Sequence, residues 1–266
     1  MRFYFKWVVL AEVFCVGQIW AQSSLVQSMT SQQLIRTGRE SFVNRCSGCH
    51  GINADGKGPA MPMLSPRPRN LVAGSFKFRS TPSGTLPTSQ DLLRTLNQGV
   101  LGTSMPSFRD LPESEKLALI TYIRSLRPDF QETLKDQRSV ALPSPPAEKF
   151  GSKQTLLASA AAGRKLYEQA CLTCHGDKGL GDGPSIEGLM DGEEQPIKPA
   201  NLSARQIKGG KTARDIFRAI TTGLDGTPMP SFQEIFDEPS RWDLVAYVFY
   251  LRGRAAGIYT EKDELK

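Results

Sequence analysis

Histidine is nearly missing from this 266-residue chain: there are two, His50 and His175. Sites built on clustered imidazoles are thereby excluded. Cysteine is scarce as well. Of the five, Cys15 lies near the N-terminus and four fall in two pentapeptides, CSGCH at 46–50 and CLTCH at 171–175. None is left over for a conventional disulfide framework. Beyond the N-terminal leader no hydrophobic run is long enough to cross a bilayer, and no segment alternates convincingly as a strand. Aromatics make up only 8%, while apolar (39%) and charged (23%) shares are those of an ordinary soluble globular protein. What is abundant is Gly (24) and Pro (18), which points to many turns and long connections.

The chain opens MRFYFKWVVLAEVFCVGQIWAQSS. Arg2 and Lys6 form a positive start, and an apolar run from Trp7 to Trp20 precedes Ala21. This is the pattern of an export signal, residues 1–21, with cleavage expected after Ala21. The run falls short of the roughly 20 residues a spanning helix needs, and Glu12 and Gln18 interrupt it. Because Glu12 is unusual inside a signal core, an uncleaved anchor is the alternative reading. The expected compartment is the bacterial periplasm.

The two pentapeptides are landmarks of a longer repeat. GRESFVNRCSGCHG matches GRKLYEQACLTCHG; DGKGPA (55–60) matches LGDGPS (180–185); PRNL (68–71) matches PANL (199–202). DLLRTLNQGVLGTSMPSF (91–108) then matches DIFRAITTGLDGTPMPSF (215–232), and ALITYIRSLR matches DLVAYVFYLR. Two insertions break the register, KFRSTPSGTLP in the first copy and EEQPIK in the second. The expected organisation is a first domain at 31–127, a Pro-containing linker at 128–160, a second domain at 161–254 and a charged tail at 255–266. Each copy has the 3–4 periodicity of helices. One helix is expected to start on Asp91 or Asp215 as N-cap and stop at Gly99 or Gly223; the last is expected behind Ser114 or Ser240. The expected fold is all-α: two small helical domains with long loops, each needing something extra to fill its core.

Cys-x-x-Cys-His supplies that filler. Two thiols on one face of a turn can each form a thioether to a haem vinyl group, and the adjacent His then faces the iron. A thioredoxin-like dithiol needs a βαβ context, missing here. A structural zinc needs four ligands, and each copy offers three in a row. The reading is two covalent haem c groups, on Cys46 with Cys49 and on Cys171 with Cys174. His50 and His175 are then both used as proximal ligands, so neither iron can take two histidines from this chain. The remaining soft donor is methionine. Met105 and Met229 stand in one frame, GTSMPSF and GTPMPSF, 55 and 54 residues past their histidines. Met61, Met63 and Met190 do not recur between copies and read as core filler.

On these motifs each half resembles a class I cytochrome c domain: a helix ending in CxxCH, a GxGP loop, a Met-Pro loop and a C-terminal helix. The resemblance implies that a proline carbonyl, from Pro59 or Pro184, accepts the proximal His Nδ1–H. It implies that Phe42 meets Tyr122 and Tyr167 meets Tyr247 where the first and last helices cross, and it makes Arg69, Arg94 and Arg218 candidates for haem propionates.

His/Met ligation closes both axial positions, which suits a carrier of single electrons between redox partners and not an enzyme. Residues 31–127 carry 13 Lys+Arg against 6 Asp+Glu, residues 161–254 carry 12 against 13. The basic first domain would steer an acidic partner surface, such as that of a membrane-bound respiratory complex. Nucleic acid is not an expected partner, since no recognised motif is present. Two other readings remain open: a cytochrome subunit fixed in a larger oxidoreductase, and a dihaem peroxidase, which would need one methionine not to bind.

Overall fold

The computed structural model describes residues 29–127 and 139–265. The expected leader and residues 128–138 of the expected linker lie outside the described residues. Among the described residues the structure is helical, with two isolated bridges, Met190 to Pro196 and Ile207 to Gly210. The first half contains α1 (Ser31–Arg45), α2 (Ser47–His50), a 3₁₀ turn (Met61–Met63), α3 (Ser89–Gln98) and α4 (Glu113–Ser125). The second contains α5 (Ala147–Phe150), α6 (Lys153–Ala170), α7 (Leu172–His175), α8 (Ala213–Thr222), α9 (Glu238–Ala255) and a 3₁₀ turn (Glu261–Asp263).

The helix starts fall a few residues from where expected. Thr88 and Thr212 are the N-caps of α3 and α8, and Asp91 and Asp215 stand three residues in, closing capping boxes. Pro112 precedes α4, and Asp237 caps α9 by accepting Ser240 N–H at 2.9 Å. Threonine's side-chain oxygen reaches the same orphan donors as aspartate's, so the Asp was free to close the box. The stops are as expected. Gly99 (φ 64°) and Gly223 (φ 68°) end α3 and α8 in left-handed backbone, where a Cβ would also lie 2.6 Å from the carbonyl carbon of Pro106 or Pro230.

Asp91 shows what the box contributes. It is fully buried. Burial alone would raise its pKa, but hydrogen bonds from Ser80 N (2.9 Å) and Thr88 N (3.0 Å) and the Arg94 charge outweigh that and hold the carboxyl below its usual range. A depressed carboxyl stabilises the fold above its unfolded pKa, about 3.9, and that contribution is lost as pH falls through the folded value. Asp91→Asn is therefore expected to cost on the order of 1–3 kcal/mol at pH 7 and to converge with wild type only at a pH below the folded value, itself under about 3.9. Urea unfolding at the two pH values checks this; an equal gap at both would refute it.

Helix α1 crosses α4, and α6 crosses α9. At each crossing a glycine faces a carbonyl: a Cβ on Gly38 would collide with Ala118 O, and one on Gly163 with Asp243 O. The expected aromatic pairs sit alongside, Phe42–Tyr122 at 5.3 Å and Tyr167–Tyr247 at 4.9 Å between centroids. Each half has its own core, one around Phe42, Leu96, Leu119 and Ile120, the other around Tyr167, Phe217, Trp242 and Val245.

Two expected boundaries are corrected. Leu142, Phe150, Leu156 and Leu157, placed in the linker by sequence, pack against the second core, and α6 begins at Lys153 rather than after 160. Lys149 pairs with Asp243, which anchors this segment. The tail is also part of the second half: Leu265 is buried in its core, Tyr259 stacks on Tyr250 at 5.6 Å, and Asp263 meets Lys153 at 2.7 Å. At the offset of 125 that relates the cysteines, Leu156 and Leu157 align with Ser31 and Gln32 at the start of α1, whereas Leu142, Phe150 and the tail lie outside the matched stretches.

The first copy's insertion joins the halves. Arg79, fully buried, places Nη2 2.8 Å from Asp225 Oδ1 and donates to Thr222 O at 2.8 Å. Ser83 Oγ and Gly84 N–H donate to the same Asp225 carboxylate at 3.1 Å each.

Candidate functional site

Each pentapeptide is one tight turn. Cys46 is at once the C-cap of α1 and the start of α2, and its carbonyl accepts Cys49 N–H at 3.1 Å and His50 N–H at 2.9 Å. In the second half Cys171 O accepts from Cys174 N and His175 N at 3.2 and 2.8 Å. The turn brings both thiols and the imidazole together. Burial pushes the Cys46 thiol up to about 11 and Cys171 to about 12. A dithiol redox catalyst needs a stabilised thiolate; these thiols are held neutral.

His50 Nδ1 lies 2.9 Å from Arg69 O, and His175 Nδ1 3.0 Å from Ala200 O. A carbonyl only accepts, so Nδ1 carries the proton and Nε2 keeps its lone pair. Burial lowers both imidazole pKa values, with the carbonyl bond opposing it, so both rings are neutral at pH 7. This corrects the assignment of Pro59 and Pro184 as acceptors. Their neighbours are tied to the back of the pentapeptide turn, Gly58 N to Cys49 O (3.1 Å) and Gly183 N to Cys174 O (3.3 Å). The ring instead meets the PRNL and PANL segments. There Asn70 Oδ1 accepts from Val72 and Ala73 N–H at 3.0 and 2.9 Å, and Asn201 Oδ1 from Ser203 and Ala204 N–H at 3.0 and 3.1 Å, a turn that aims the preceding carbonyl at the histidine. Arg127 Nη1 braces this loop by donating to Ala73 O at 2.7 Å, and Arg252 Nε does so at Leu202 O, 3.4 Å. The repeated Asn-Leu was the signal for it in the sequence.

In the first half Cys46, Cys49, His50 and Met105 line one cavity of about 420 Å³, walled by Phe42, Leu92, Leu96 and Phe108. That volume lies in the range of about 300–1,000 Å³ typical of cofactor sites. Two thiols and an imidazole, a thioether and apolar walls between them form the donor set that a covalent haem c requires, and the residues fit it.

The methionine loops carry the same bonds in both halves. Met105 O accepts Val100 N–H and Met229 O accepts Leu224 N–H, each at 3.1 Å. Met105 N donates to Thr103 Oγ1 and Met229 N to Thr227 Oγ1, each at 3.2 Å. Behind each loop sits a buried cation that sequence reading missed: Lys116 Nζ on Asn97 Oδ1 (2.9 Å) and Arg241 Nη1 on Thr221 Oγ1 (2.9 Å). Met105 and Met229 are partly buried against their cores. Met63 (81% exposed) and Met190 (48%) are on the surface, not core filler. Of the three candidate arginines, Arg69 lines the cavity, whereas Arg94 and Arg218 turn to Asp91 and Asp215 of their own helices at 2.8 Å. No helix among the described residues is long and apolar enough to cross a membrane.

Residues 35–127 match the family model described as cytochrome c, and residues 158–248 the one described as cytochrome c oxidase, cbb3-type, subunit III. No curated protein matches the chain. Among solved structures, a chain of the Kuenenia stuttgartiensis reducing HAO-like protein complex Kustc0457/Kustc0458 is 34% identical with a TM-score of 0.73, over 81% of this chain and 95% of that one. Those domains, on that geometry, imply covalently bound haem c and electron transfer: the chain belongs to the c-type cytochromes and carries two cytochrome c domains in tandem.

Proposed function

We propose that the chain holds two haem c groups and carries single electrons between redox partners in the bacterial periplasm. Cys46 and Cys49 would attach the first, Cys171 and Cys174 the second. His50 with Met105, and His175 with Met229, would supply the axial ligands. The observation that carries this is the shared cavity: His50 and Met105, 55 residues apart, line one chamber with both thiols. When bound, haem c supplies reversible one-electron chemistry at its iron. The chain's residues do the rest. Arg69 O and Ala200 O orient the imidazoles, Thr103 and Thr227 hold the methionine backbones, and the apolar walls exclude water. With His50 and Met105, and His175 and Met229, both serving as ligands, each iron would have no open position for a substrate, which favours a carrier over a peroxidase. The leader pattern supports export.

Removing the thiols tests the count and the attachment together. Cys46→Ala/Cys49→Ala is expected to lose half the haem that resists acid-acetone extraction, and Cys171→Ala/Cys174→Ala the other half. Full retention in either variant would refute the proposal. The relative in a reducing HAO-like protein complex supports a second reading, that the chain serves as the cytochrome subunit of a larger oxidoreductase. A fixed partner would co-purify in 0.5 M-class salt, roughly where the Debye length drops toward 4 Å and steering is screened; a diffusing one would not.

A further inference from the structure

The cavity of the first half is not lined by that half alone. Lys208, from the loop ahead of α8, reaches its wall alongside Arg69, Lys77 and Phe78. Charged lining residues are Arg45, Arg67, Arg69, Lys77 and Lys208, with no carboxylate among them. Burial, then the Arg69 and Lys208 charges, lower the Lys77 ammonium to about 8. Among the described residues neither Lys77 nor Lys208 has an ion-pair partner. Arg69 has only Glu193, at 3.9 Å. Arg45 is paired with Glu115 at 2.7 Å, and the Asp191 and Glu193 charges partly offset those around Lys77. The chamber's own lining, apolar with five cations and no carboxylate, suits a ligand that is apolar in body and anionic at one edge.

Haem has that form: a flat apolar ring with two carboxylates on one side. We propose that the propionate edge of the first haem lies at the domain boundary and is held by cations from both halves, with Lys208 of the second completing the site of the first. This rests on the haem reading above. The Arg79–Asp225 clamp keeps the boundary shut, and Phe78 lies against Gly209, next to Lys208, at the contact. The second half therefore tunes the first half's redox equilibrium electrostatically. A cation near the ring disfavours the more positive ferric state, so removing it favours oxidation.

Spectroelectrochemical titration of the intact holoprotein tests this, with the first centre identified by its loss in Cys46→Ala/Cys49→Ala. Lys208→Gln is expected to lower the reduction equilibrium constant of the first centre about tenfold, equivalent to ~59 mV for one electron, and to leave the second nearly unmoved. Lys208→Arg should restore it. Lys165→Gln, an equal charge change on the exposed face of α6, should move neither centre. An unmoved first centre, equal shifts of both, or the same shift from Lys165→Gln would overturn the proposal. If Cys46→Ala/Cys49→Ala removes no centre, the haem reading itself has failed, and the two failures are thereby distinguished.

Discussion

Gly163→Val is expected to destabilise the second domain severely, and Gly38→Val the first. Each glycine lies where two long helices cross, with the partner helix's carbonyl oxygen in the place a Cβ would occupy. The obstacle is backbone, so no rotamer change relieves it. At Asp243 the backbone is also held in place, because its side chain is gripped by Lys149 and by Ser159 Oγ at 2.6 Å. The helices would have to separate, opening the Tyr167–Tyr247 contact and the walls beneath it. Such a clash belongs with the exceptional substitutions that cost more than about 4 kcal/mol, against a whole-domain stability of about 5–15 kcal/mol. For a domain of this size that is a fall in Tm of roughly 15 °C or more. Thermal unfolding followed by circular dichroism, with haem content per chain, checks it. A shift of only a few degrees would mean that the helices slide apart freely.

Met105→Ala and Met229→Ala should each change one centre and spare the other. The cavity places the Met105 thioether with the His50 imidazole, and the Met229 loop repeats the same bonds. Without sulfur the iron would take water or stay five-coordinate. The methionine–iron charge-transfer band should fall by half in either variant, with a high-spin signature appearing. The midpoint of the affected centre should drop by about 0.1–0.2 V, a fraction of the roughly 0.8 V that axial ligands span. Imidazole added to the variant should bind there and not in wild type. An unchanged band and midpoint would remove the methionine from the iron, and with it the preference for a carrier over an enzyme.

The glycine stops of α3 and α8 and the Cys-x-x-Cys-His turns were legible because each depends on local spacing written twice, and the repeated GTxMPSF frame pointed to Met105, which lines the first half's cavity with Cys46, Cys49 and His50. The carbonyl partner of the histidine was misplaced by 10 residues in the first half and 16 in the second, from Pro59 to Arg69 and from Pro184 to Ala200. That bond is set by where a long loop returns in space, which no periodicity encodes. The repeated Asn-Leu marked the place, but only the Asn70 and Asn201 turns show which way its carbonyl points. Gly38 and Gly163 open the matched stretches, but the carbonyls of Ala118 and Asp243 that they face come from the far end of each half, so nothing in local spacing marks them as crossing points. The second half's added residues, Leu142 to Phe150 and Tyr259 to Leu265, were invisible for the opposite reason: they lie outside the stretches that the two copies share.

Between the duplicated units, the stretch that spoiled their alignment turned out to form the joint. Arg79, Ser83 and Gly84 all belong to KFRSTPSGTLP, and all grip Asp225 in the segment leading to Met229. The two copies are therefore not interchangeable modules. A chain made of two second copies would lack the hook, and one made of two first copies would present a valine-leucine-glycine turn, Val100 to Gly102, where the aspartate is needed. Divergence after duplication has given the molecule a handed order, with a gripping half and a gripped half, and the gripped element is the strap that bears a candidate iron ligand.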